Sequence, residues 1–231
     1  MDQNDFPYIL NSDRCKATLD DLFLVVFVHS APAHWDRRRA IRETWGNASV
    51  LRAKMALVFM VGRPDDAREL ETLALEGSIH SDLVMGNFAD SYRNLTYKHV
   101  MGLKWVSCFC RNAHYVLKTD DDVFMDLFRL TSYLRSVFGA LAPPKLMVCL
   151  LIRQAVVKRS YGSKWRVGFD EYRGRRYPPY CLGLGWRCRP TWSSTCIARR
   201  PGRRTSGLTT FSSRGFSHGG SGSRTWTSRS T

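Results

Sequence analysis

Three consecutive carboxylates, Asp120, Asp121 and Asp122, directly follow a short strand-like run at residues 115–117. Neighbouring negative charges repel one another, so the end of a strand gains little from them unless a cation lies among them. Carboxylate oxygens suit Mg²⁺ or Mn²⁺, which bind through one or two protein carboxylates and complete their shell with water and substrate phosphates. The carboxyl end of a strand is also where open α/β sheets bind nucleotides. The triplet therefore predicts a metal-assisted nucleotide site, with a solvated acidic turn as the alternative.

Two arginines, Arg38 and Arg42, are four positions apart in a segment of helical composition. Residues at this spacing share one face of a helix, and a guanidinium binds phosphate oxygens well. They are therefore candidates to meet a diphosphate at the edge of the sheet. A solvated basic face is the alternative.

Polar and aromatic residues cluster in two further places. In the first, Asp90, Tyr92 and Asn94 come just before a predicted helix. A tyrosine ring there would stack on a base while the acid or amide bonds its edge, although a helix cap with a surface turn gives the same pattern. In the second, Tyr177-Pro-Pro-Tyr180 leads into a glycine-containing turn. Aromatic faces beside tight turns suit sugar binding, and a packed structural turn is the alternative.

Strand-like and helix-like segments alternate along the chain, and this alternation positions the polar clusters. Continuous apolar runs of strand length predict strands buried on both faces, as in a parallel sheet. Gly77 is the predicted cap of the second helix. The order favours an α/β fold with a mostly parallel, doubly wound sheet. The predicted strands cover residues 22–28, 56–61, 82–85, 115–117 and 145–152, and the predicted helices cover 36–45, 65–76, 97–108 and 127–138.

The net charge of +15 over 231 residues is concentrated at one end of the chain. Residues 187–231 contain nine arginines and no acidic residue, which leaves 26 basic and 20 acidic residues, or +6, in 1–186. Because this tail has only Ile197 and Leu208 as branched aliphatic residues, we predict that it is disordered. A nucleic-acid binder acting through the tail would be strongly salt-sensitive. We do not favour it, because no recognition motif accompanies the arginines.

Cysteines and targeting signals narrow the class only a little. Seven cysteines show no zinc spacing, since Cys108 and Cys110 lack a partner pair, and they leave the compartment open. No apolar run approaches the roughly 20 residues that span a bilayer. Because residues 1–5 are polar, we expect neither a signal peptide nor a membrane anchor in this sequence.

Together these segments closely resemble the β-1,3-galactosyltransferase and β-1,3-N-acetylglucosaminyltransferase family, glycosyltransferase family 31. The resemblance covers roughly residues 6–186. The matching text is Phe23-Leu-Val-Val26, Arg38-Arg-Ala-Ile-Arg-Glu-Thr-Trp-Gly46, Phe88-Ala-Asp-Ser-Tyr-Arg-Asn-Leu-Thr-Tyr-Lys98, Lys118-Thr-Asp-Asp-Asp-Val-Phe124, Ser163-Lys-Trp165 and Tyr177-Pro-Pro-Tyr-Cys-Leu-Gly-Leu-Gly185.

The resemblance implies a GT-A fold that uses Mn²⁺ and a UDP-sugar donor. It implies transfer of galactose or N-acetylglucosamine to an acceptor glycan on a glycoprotein or glycolipid, with inversion to a β-1,3 linkage. On this basis Asp122 is the principal metal ligand, with Asp120 and Asp121 around the ribose and the metal shell. The uridine and diphosphate side is assigned to Arg38, Arg42, Asp90, Tyr92 and Asn94, and the acceptor and donor-sugar pocket to Trp165, Tyr180, Gly183 and Gly185.

The resemblance also implies a location and partners. Members of the family are Golgi proteins with type II membrane topology and a lumenal catalytic domain, and homo- or heterodimers are expected. Two glycosylation sequons, at Asn47 and Asn94, are compatible with the Golgi lumen. Asn94 lies inside a family motif, so we expect it to serve the fold or the site instead of carrying a glycan.

The sequence departs from the family pattern at its C-terminal end. The family takes its general base from an acidic motif after the Gly-x-Gly turn, whereas no residue after Glu171 is acidic. His218, in a Gly-Ser run, is no substitute for the family's C-terminal histidine. We therefore expect a stem segment at 1–20, a GT-A-like domain at 21–186 that is incomplete at its C-terminus, and an out-of-frame tail at 187–231. Little transfer activity is expected, and a non-catalytic UDP-sugar or glycan-binding protein, or a partner of an active enzyme, is the alternative.

Overall fold

The computed structural model describes residues 7–15, 22–47, 54–139 and 146–182, together with the backbone of 186–188. Within these ranges the strands are β1 (Tyr8–Leu10), β2 (Leu24–His29), β3 (Met55–Arg63), β4 (Leu83–Ala89), β5 (Tyr115–Asp120), β6 (Leu151–Ile152), β7 (Tyr180–Cys181) and β8 (Trp186–Cys188). The α-helices are α1 (Trp35–Glu43), α2 (Ala67–His80), α3 (Leu95–Phe109) and α4 (Leu127–Phe138), and a short 3-10 helix covers Tyr92–Asn94.

The main sheet has six strands in the order β1-β4-β3-β2-β5-β8. The four inner strands β4, β3, β2 and β5 are parallel, and the edge strands β1 and β8 are antiparallel to their neighbours. All of β2, and all of β3 except Arg63, is buried. Helices cover both faces of the sheet, and this explains why the sequences of these two strands are mostly apolar, as predicted. The α/β architecture with a mostly parallel sheet is confirmed.

Hydrophobic side chains fill both faces of the sheet. On one face, Trp105 and Val106 of α3 pack with Val25 and Phe27 of β2. On the other face, Ile41 of α1, Leu73 of α2, and Leu127 and Leu134 of α4 pack against the alternate residues of the same strands. One helix therefore covers one face and three helices cover the other. This three-layer arrangement fixes where each strand ends.

Two details of the predicted elements are wrong. Gly77 does not cap α2, because the helix continues to His80 and the left-handed residue at its end is Ser81, with φ of 54°. The predicted strand at 145–152 shrinks to Leu151–Ile152, which pairs with β7 in a separate two-stranded sheet. It does not join the main sheet, where the neighbour of β5 on that side is β8.

Two disulfides connect distant parts of the chain. Cys15 is bonded to Cys110 just after α3, and Cys149 is bonded to Cys181 of β7. Within the residues that the structure describes, no helix is both long and apolar enough to cross a bilayer. Arg187 and Cys188 belong to β8, while residues 189–231 lie outside the described part, so the disorder predicted for the tail stays a prediction.

Candidate active site

The loops that follow β2 and β5 meet at the carboxyl edge of the sheet. From β2 the chain proceeds through β3 and β4 on one side, and it then crosses to β5 on the other side of β2. The last residues of these two strands, His29 and Asp120, are register partners. This reversal of strand order is the topological switch point at which open parallel sheets bind nucleotides. The acidic triplet therefore begins at the position where open parallel sheets generally form their ligand-binding crevice.

The middle carboxylate, Asp121, is buried and ties the two loops together. Its Oδ2 accepts a hydrogen bond from Ser30 Oγ at 2.8 Å and lies 2.7 Å from Nδ1 of His34. Its Oδ1 accepts from Arg37 at 3.1 Å. Only 7% of the Asp121 side chain is exposed. Asp121 thus anchors the β2–α1 loop to the triplet and presents little surface to a ligand.

The two flanking carboxylates are more open. The side chain of Asp122 is 65% exposed, and its nearest cation is the Arg37 guanidinium at 4.0 Å. Asp120 is 34% exposed, its Oδ1 accepts a hydrogen bond from the Lys118 ammonium, and Nδ1 of His29 lies 3.8 Å from the same oxygen. Of the three, Asp122 has the carboxylate that is most available to an incoming ion.

These carboxylates suit some metals and not others. Among the described residues, no group of three or more His, Cys, Asp or Glu side chains is arranged to hold an ion. A zinc-type site of three or four protein ligands is therefore not formed by this part of the chain. Two partly exposed carboxylates at the switch point fit an ion such as Mg²⁺ or Mn²⁺, which takes most of its ligands from water and phosphate.

Asp90 joins the site from the next strands along the sheet. Its Oδ2 accepts from the Gly62 backbone N–H at 2.6 Å, and the Lys98 ammonium lies 2.9 Å from Oδ1 and 2.8 Å from Oδ2. Gly62 is required here, because a Cβ at that position would lie 2.9 Å from the Cα of Asp90. Lys98 also donates to the Ser30 carbonyl at 2.6 Å. Asp90 and Lys98 therefore connect β3, β4 and α3 to the loop that carries Ser30.

Buried bases lie beneath the triplet. Burial lowers the pKa of both Lys98 and Lys118, against the raising effect of Asp90 on the first and Asp120 on the second. Burial also lowers the pKa of His99 to about 3, with the Lys118 charge adding to it, and brings the pKa of His29 well below 6.5. The two imidazoles are therefore neutral at neutral pH. Nε2 of His29 is buried and makes no hydrogen bond with the described residues.

The structure gives Arg38 and Arg42 a different environment from the one their spacing suggested. Arg38 is completely buried, and its guanidinium donates to both oxygens of Glu76 at 2.8 and 2.6 Å. It also donates to Ser30 Oγ, Ala31 O and Pro32 O. Arg42 pairs with Glu76 at 2.7 Å and with Asp82 at 2.8 Å. Acidic partners on α2 and beside β4 therefore occupy both side chains, and the role of Arg38 and Arg42 in diphosphate binding stays a prediction.

Four of the remaining predicted residues belong to the described part of the chain. Asn94 Nδ2 donates to the Ala89 carbonyl at 2.8 Å, so this side chain holds the turn before α3, in line with a role in the fold. The Tyr92 ring is 46% exposed, and burial raises the pKa of its hydroxyl while the nearby Trp165 side chain opposes this rise. Tyr180 lies in β7, with its ring 6.0 Å from that of Tyr177. Gly183 and Gly185 lie outside the described residues.

Comparison with known protein families gives a match over most of the chain. The sequence profile of the family described as Galactosyltransferase matches residues 36–189. The chain belongs to the galactosyltransferase family.

Two kinds of curated relative illustrate this galactosyltransferase-family match. Beta-1,3-galactosyltransferase 1 of Homo sapiens and of Mus musculus is 32% identical over 188 residues, which cover 80% of this chain and 56% of the relative. The Homo sapiens lactosylceramide 1,3-N-acetyl-beta-D-glucosaminyltransferase is 32% identical over 189 residues, which cover 78% of this chain and 49% of the relative. The chain thus spans about half the length of the curated relatives it matches.

Sequence reasoning missed several residues that build the site of this galactosyltransferase-family chain. Ser30, His34 and Arg37 surround Asp121, while Lys98 and Lys118 are the buried partners of Asp90 and Asp120. One signal was present in the sequence: Lys118 directly follows the apolar strand-like run at 115–117, and an ion buried at such a position requires a partner. His34 and Arg37 gave no such signal, because exposed positions at the start of a helix tolerate any polar residue.

Proposed function

We propose that this chain is the donor-binding part of a GT-A-type hexosyltransferase that uses a UDP-sugar and Mn²⁺. The observation that carries the proposal is the division of roles within the triplet at the switch point. Asp121 is buried and anchored, while Asp120 and Asp122 remain available beside the crevice. The family membership and the names of the relatives support galactose or N-acetylglucosamine as the transferred sugar and β-1,3 as the linkage.

The formal charges of the site favour a bound cation. Asp90 and the triplet contribute four carboxylates, and within the described residues the lysine and arginine partners of these carboxylates are Arg37, Lys98 and Lys118. A diphosphate would add further negative charge to this excess, so it requires a divalent ion to bind well. Asp122 and Asp120 would hold that ion. When bound, Mn²⁺ neutralises the charge that develops on the departing UDP.

The chain's own residues would prepare this geometry before any ligand arrives. Asp121, held by Ser30, His34 and Arg37, fixes the backbone on which Asp120 and Asp122 stand. The Lys118 ammonium orients Asp120. Tyr92 and Trp165 extend from the Asp90 side and offer exposed aromatic surface to the sugar or the base. Such preorganisation reduces the ordering that binding would otherwise require.

Transfer with inversion needs a general base that removes the proton of the acceptor hydroxyl. Residues 172–231 contain neither Asp nor Glu, so this stretch provides no carboxylate base. We therefore propose that the chain as written binds the donor but transfers sugar slowly. This feature also favours the second candidate function, a non-catalytic UDP-sugar-binding protein or a partner of an active enzyme.

The two disulfides bear on the compartment. Such bonds form and persist in oxidising compartments and are rare in the cytosol. The Cys15–Cys110 and Cys149–Cys181 pairs therefore support a lumenal location in the secretory pathway. The Golgi lumen is the proposed site, as the family resemblance implies.

Calorimetric titration with UDP, with and without Mn²⁺, tests the donor site. We expect binding that depends on the metal, and at least a tenfold weaker affinity in Asp122→Asn. Asp65→Asn, which removes an exposed carboxylate just before α2, serves as the matched control and should bind like the wild type. Metal-independent binding, or an unchanged affinity in Asp122→Asn, would contradict the proposed site.

A radiolabelled transfer assay with UDP-galactose and UDP-N-acetylglucosamine separates the two candidate functions. Slow transfer from one donor supports an impaired hexosyltransferase, and UDP binding without any turnover supports the non-catalytic protein. A rate typical of active members of the family would show that the base comes from elsewhere and would refute the proposed impairment.

A further inference from the structure

Residues 158–176 form a strongly basic segment beside the candidate site, which we call the basic loop. It contains seven Lys or Arg residues and only two acidic residues, Asp170 and Glu171, for a net charge of +5 over 19 positions. Residues 1–186 as a whole carry only +6. Most of the net charge of the body of the chain is therefore concentrated in this loop.

The basic loop has a defined conformation because one arginine organises it from within. Arg159 donates to four backbone carbonyls, those of Val167, Gly168, Tyr172 and Gly174, at 2.5, 2.7, 2.6 and 2.9 Å. Backbone hydrogen bonds from Val157 N to Arg175 O and from Val167 N to Lys158 O close the loop at its base. Its outer side chains are therefore presented on a built surface.

That outer surface alternates exposed aromatic rings with cations. Tyr161 and Trp165 are 89% and 49% exposed. The Arg166 guanidinium lies 4.1 Å from the Tyr161 ring centre, and the Lys164 ammonium lies 4.7 Å from that of Trp165. Lys164, Arg166 and Arg173 form no ion pair with any acidic residue in the described part of the chain. These three charges are therefore available to an anionic partner.

The basic loop is joined to the donor side of the site. The side chain of Trp165 lies close enough to the hydroxyl of Tyr92, two residues after Asp90, to influence the pKa of that tyrosine. Glu171 Oε1 lies 3.6 Å from a terminal nitrogen of Arg93 on the same 3-10 helix. A molecule bound to this surface would therefore lie beside the residues assigned to the donor, as an acceptor must.

We propose that the basic loop binds the acceptor, and that this acceptor is a glycan bearing a negative charge, as a sulfate or a carboxylate. Aromatic rings take the apolar face of a sugar, and the neighbouring Lys and Arg side chains form charge-assisted hydrogen bonds with its anionic group. A phospholipid surface would also match basic and aromatic side chains. The ties of the loop to Tyr92 and Arg93 favour the glycan, because a membrane anchor needs no contact with the donor side. The proposal rests on the transferase function and specifies the acceptor class.

The test measures binding of two probes to the full chain by calorimetry: a lactoside, and the same lactoside carrying a sulfate on O6 of its glucose. We expect the sulfated probe to bind about tenfold more tightly, which corresponds to about 1.4 kcal/mol, and the preference to decrease as salt is added. In the triple variant Lys164→Gln, Arg166→Gln, Arg173→Gln the preference should fall to within about twofold. A control triple variant removes the same charge outside the loop and should keep the preference; it combines Arg39→Gln, Arg68→Gln and Arg129→Gln.

UDP affinity in the presence of Mn²⁺ is measured on the same samples. The UDP titration tests the donor site and the lactoside titrations test the acceptor proposal, so the two can fail independently. Equal affinity of the wild type for the two lactosides would overturn the proposal, whether or not UDP binds. An equal loss of UDP affinity and of sulfated-lactoside affinity in the triple variant would assign the loop to the donor and also overturn it. A third outcome would also overturn the proposal: the wild type binds phosphatidylserine vesicles, the triple variant does not, and neither protein distinguishes the two lactosides.

Discussion

Replacing Arg38 with methionine should destabilise the fold strongly. Arg38 is fully buried, and its five hydrogen bonds run to Glu76 on α2 and to the loop after β2. Removing one partner of a buried ion pair costs about 3–5 kcal/mol, because the other charge is left uncompensated. Glu76 keeps a 2.7 Å contact with Arg42, so the loss should lie near the lower limit, about 3 kcal/mol.

Urea unfolding followed by tryptophan fluorescence measures this loss, and Arg39→Gln supplies the matched control. Arg39 is the next residue of the same helix, but its side chain is 61% exposed and forms an ion pair with the exposed Glu43. An exposed pair at this spacing contributes about 0.3–0.5 kcal/mol, so the control should unfold almost like the wild type. The comparison separates burial from charge, since both variants lose one positive charge from α1.

The same pair of variants decides between the two interpretations of Arg38. If the role of Arg38 is to hold the loop that carries Ser30, the Arg38→Met variant is less stable than the wild type. Its UDP affinity then changes only through the displacement of that loop. If Arg38 instead binds the diphosphate, stability stays within about 0.5 kcal/mol of the wild type, as for an ordinary surface substitution, and UDP affinity falls more than tenfold. The second outcome would refute the reasoning from burial.

Three further predictions concern the triplet, the buried histidine and a disulfide. Asp121→Asn should lower the free energy of unfolding by about 1–3 kcal/mol, because it disturbs a buried charge-assisted network, whereas Asp122→Asn should leave urea unfolding unchanged and weaken Mn²⁺-dependent UDP binding. The pKa of His99 is lowered from 6.5 to about 3, so the unfolded chain takes up more protons in this range and stability should fall as pH decreases from 6.5 towards 3. Unfolding curves of His99→Gln should show a shallower pH dependence, and an unchanged slope would contradict the assignment. Replacing both Cys15 and Cys110 with serine should lower the free energy of unfolding by about 2–5 kcal/mol, and equal denaturation midpoints of the wild type with and without reductant would argue against this bond.

The order of elements could be predicted from the sequence because each strand carries its own signal. The run at 22–28, which contains most of β2, is apolar at every position, and only a strand covered on both faces needs this. Helix α4 was predicted with its observed ends, and in the structure Asp126 caps it by accepting from the Arg129 N–H, while Gly139 follows it. Local chemistry sets these boundaries, so a local pattern reveals them.

The partners of the arginines could not be predicted in the same way. Arg38 and Arg42 share a helix face, and the sequence shows that much. Whether the face meets a phosphate or an acid depends on the position of Glu76, which comes 38 residues after Arg38. Long-range contacts of this kind follow from the packing of α1 against α2 and leave no trace in the spacing. The same holds for His34, which meets Asp121 across 87 positions.

The acidic triplet shows why three adjacent carboxylates can be tolerated in one folded chain. Successive residues at the end of a strand point in different directions, so Asp121 turns inward while Asp120 and Asp122 stay more exposed. The inward carboxylate is neutralised by Arg37 and bonded by Ser30, and Lys118 offsets Asp120. Only Asp122 is left without a close cation among the described residues, since Arg37 approaches no nearer than 4.0 Å. The protein thus compensates two of the three charges itself, and the third is the one that a divalent ion would compensate.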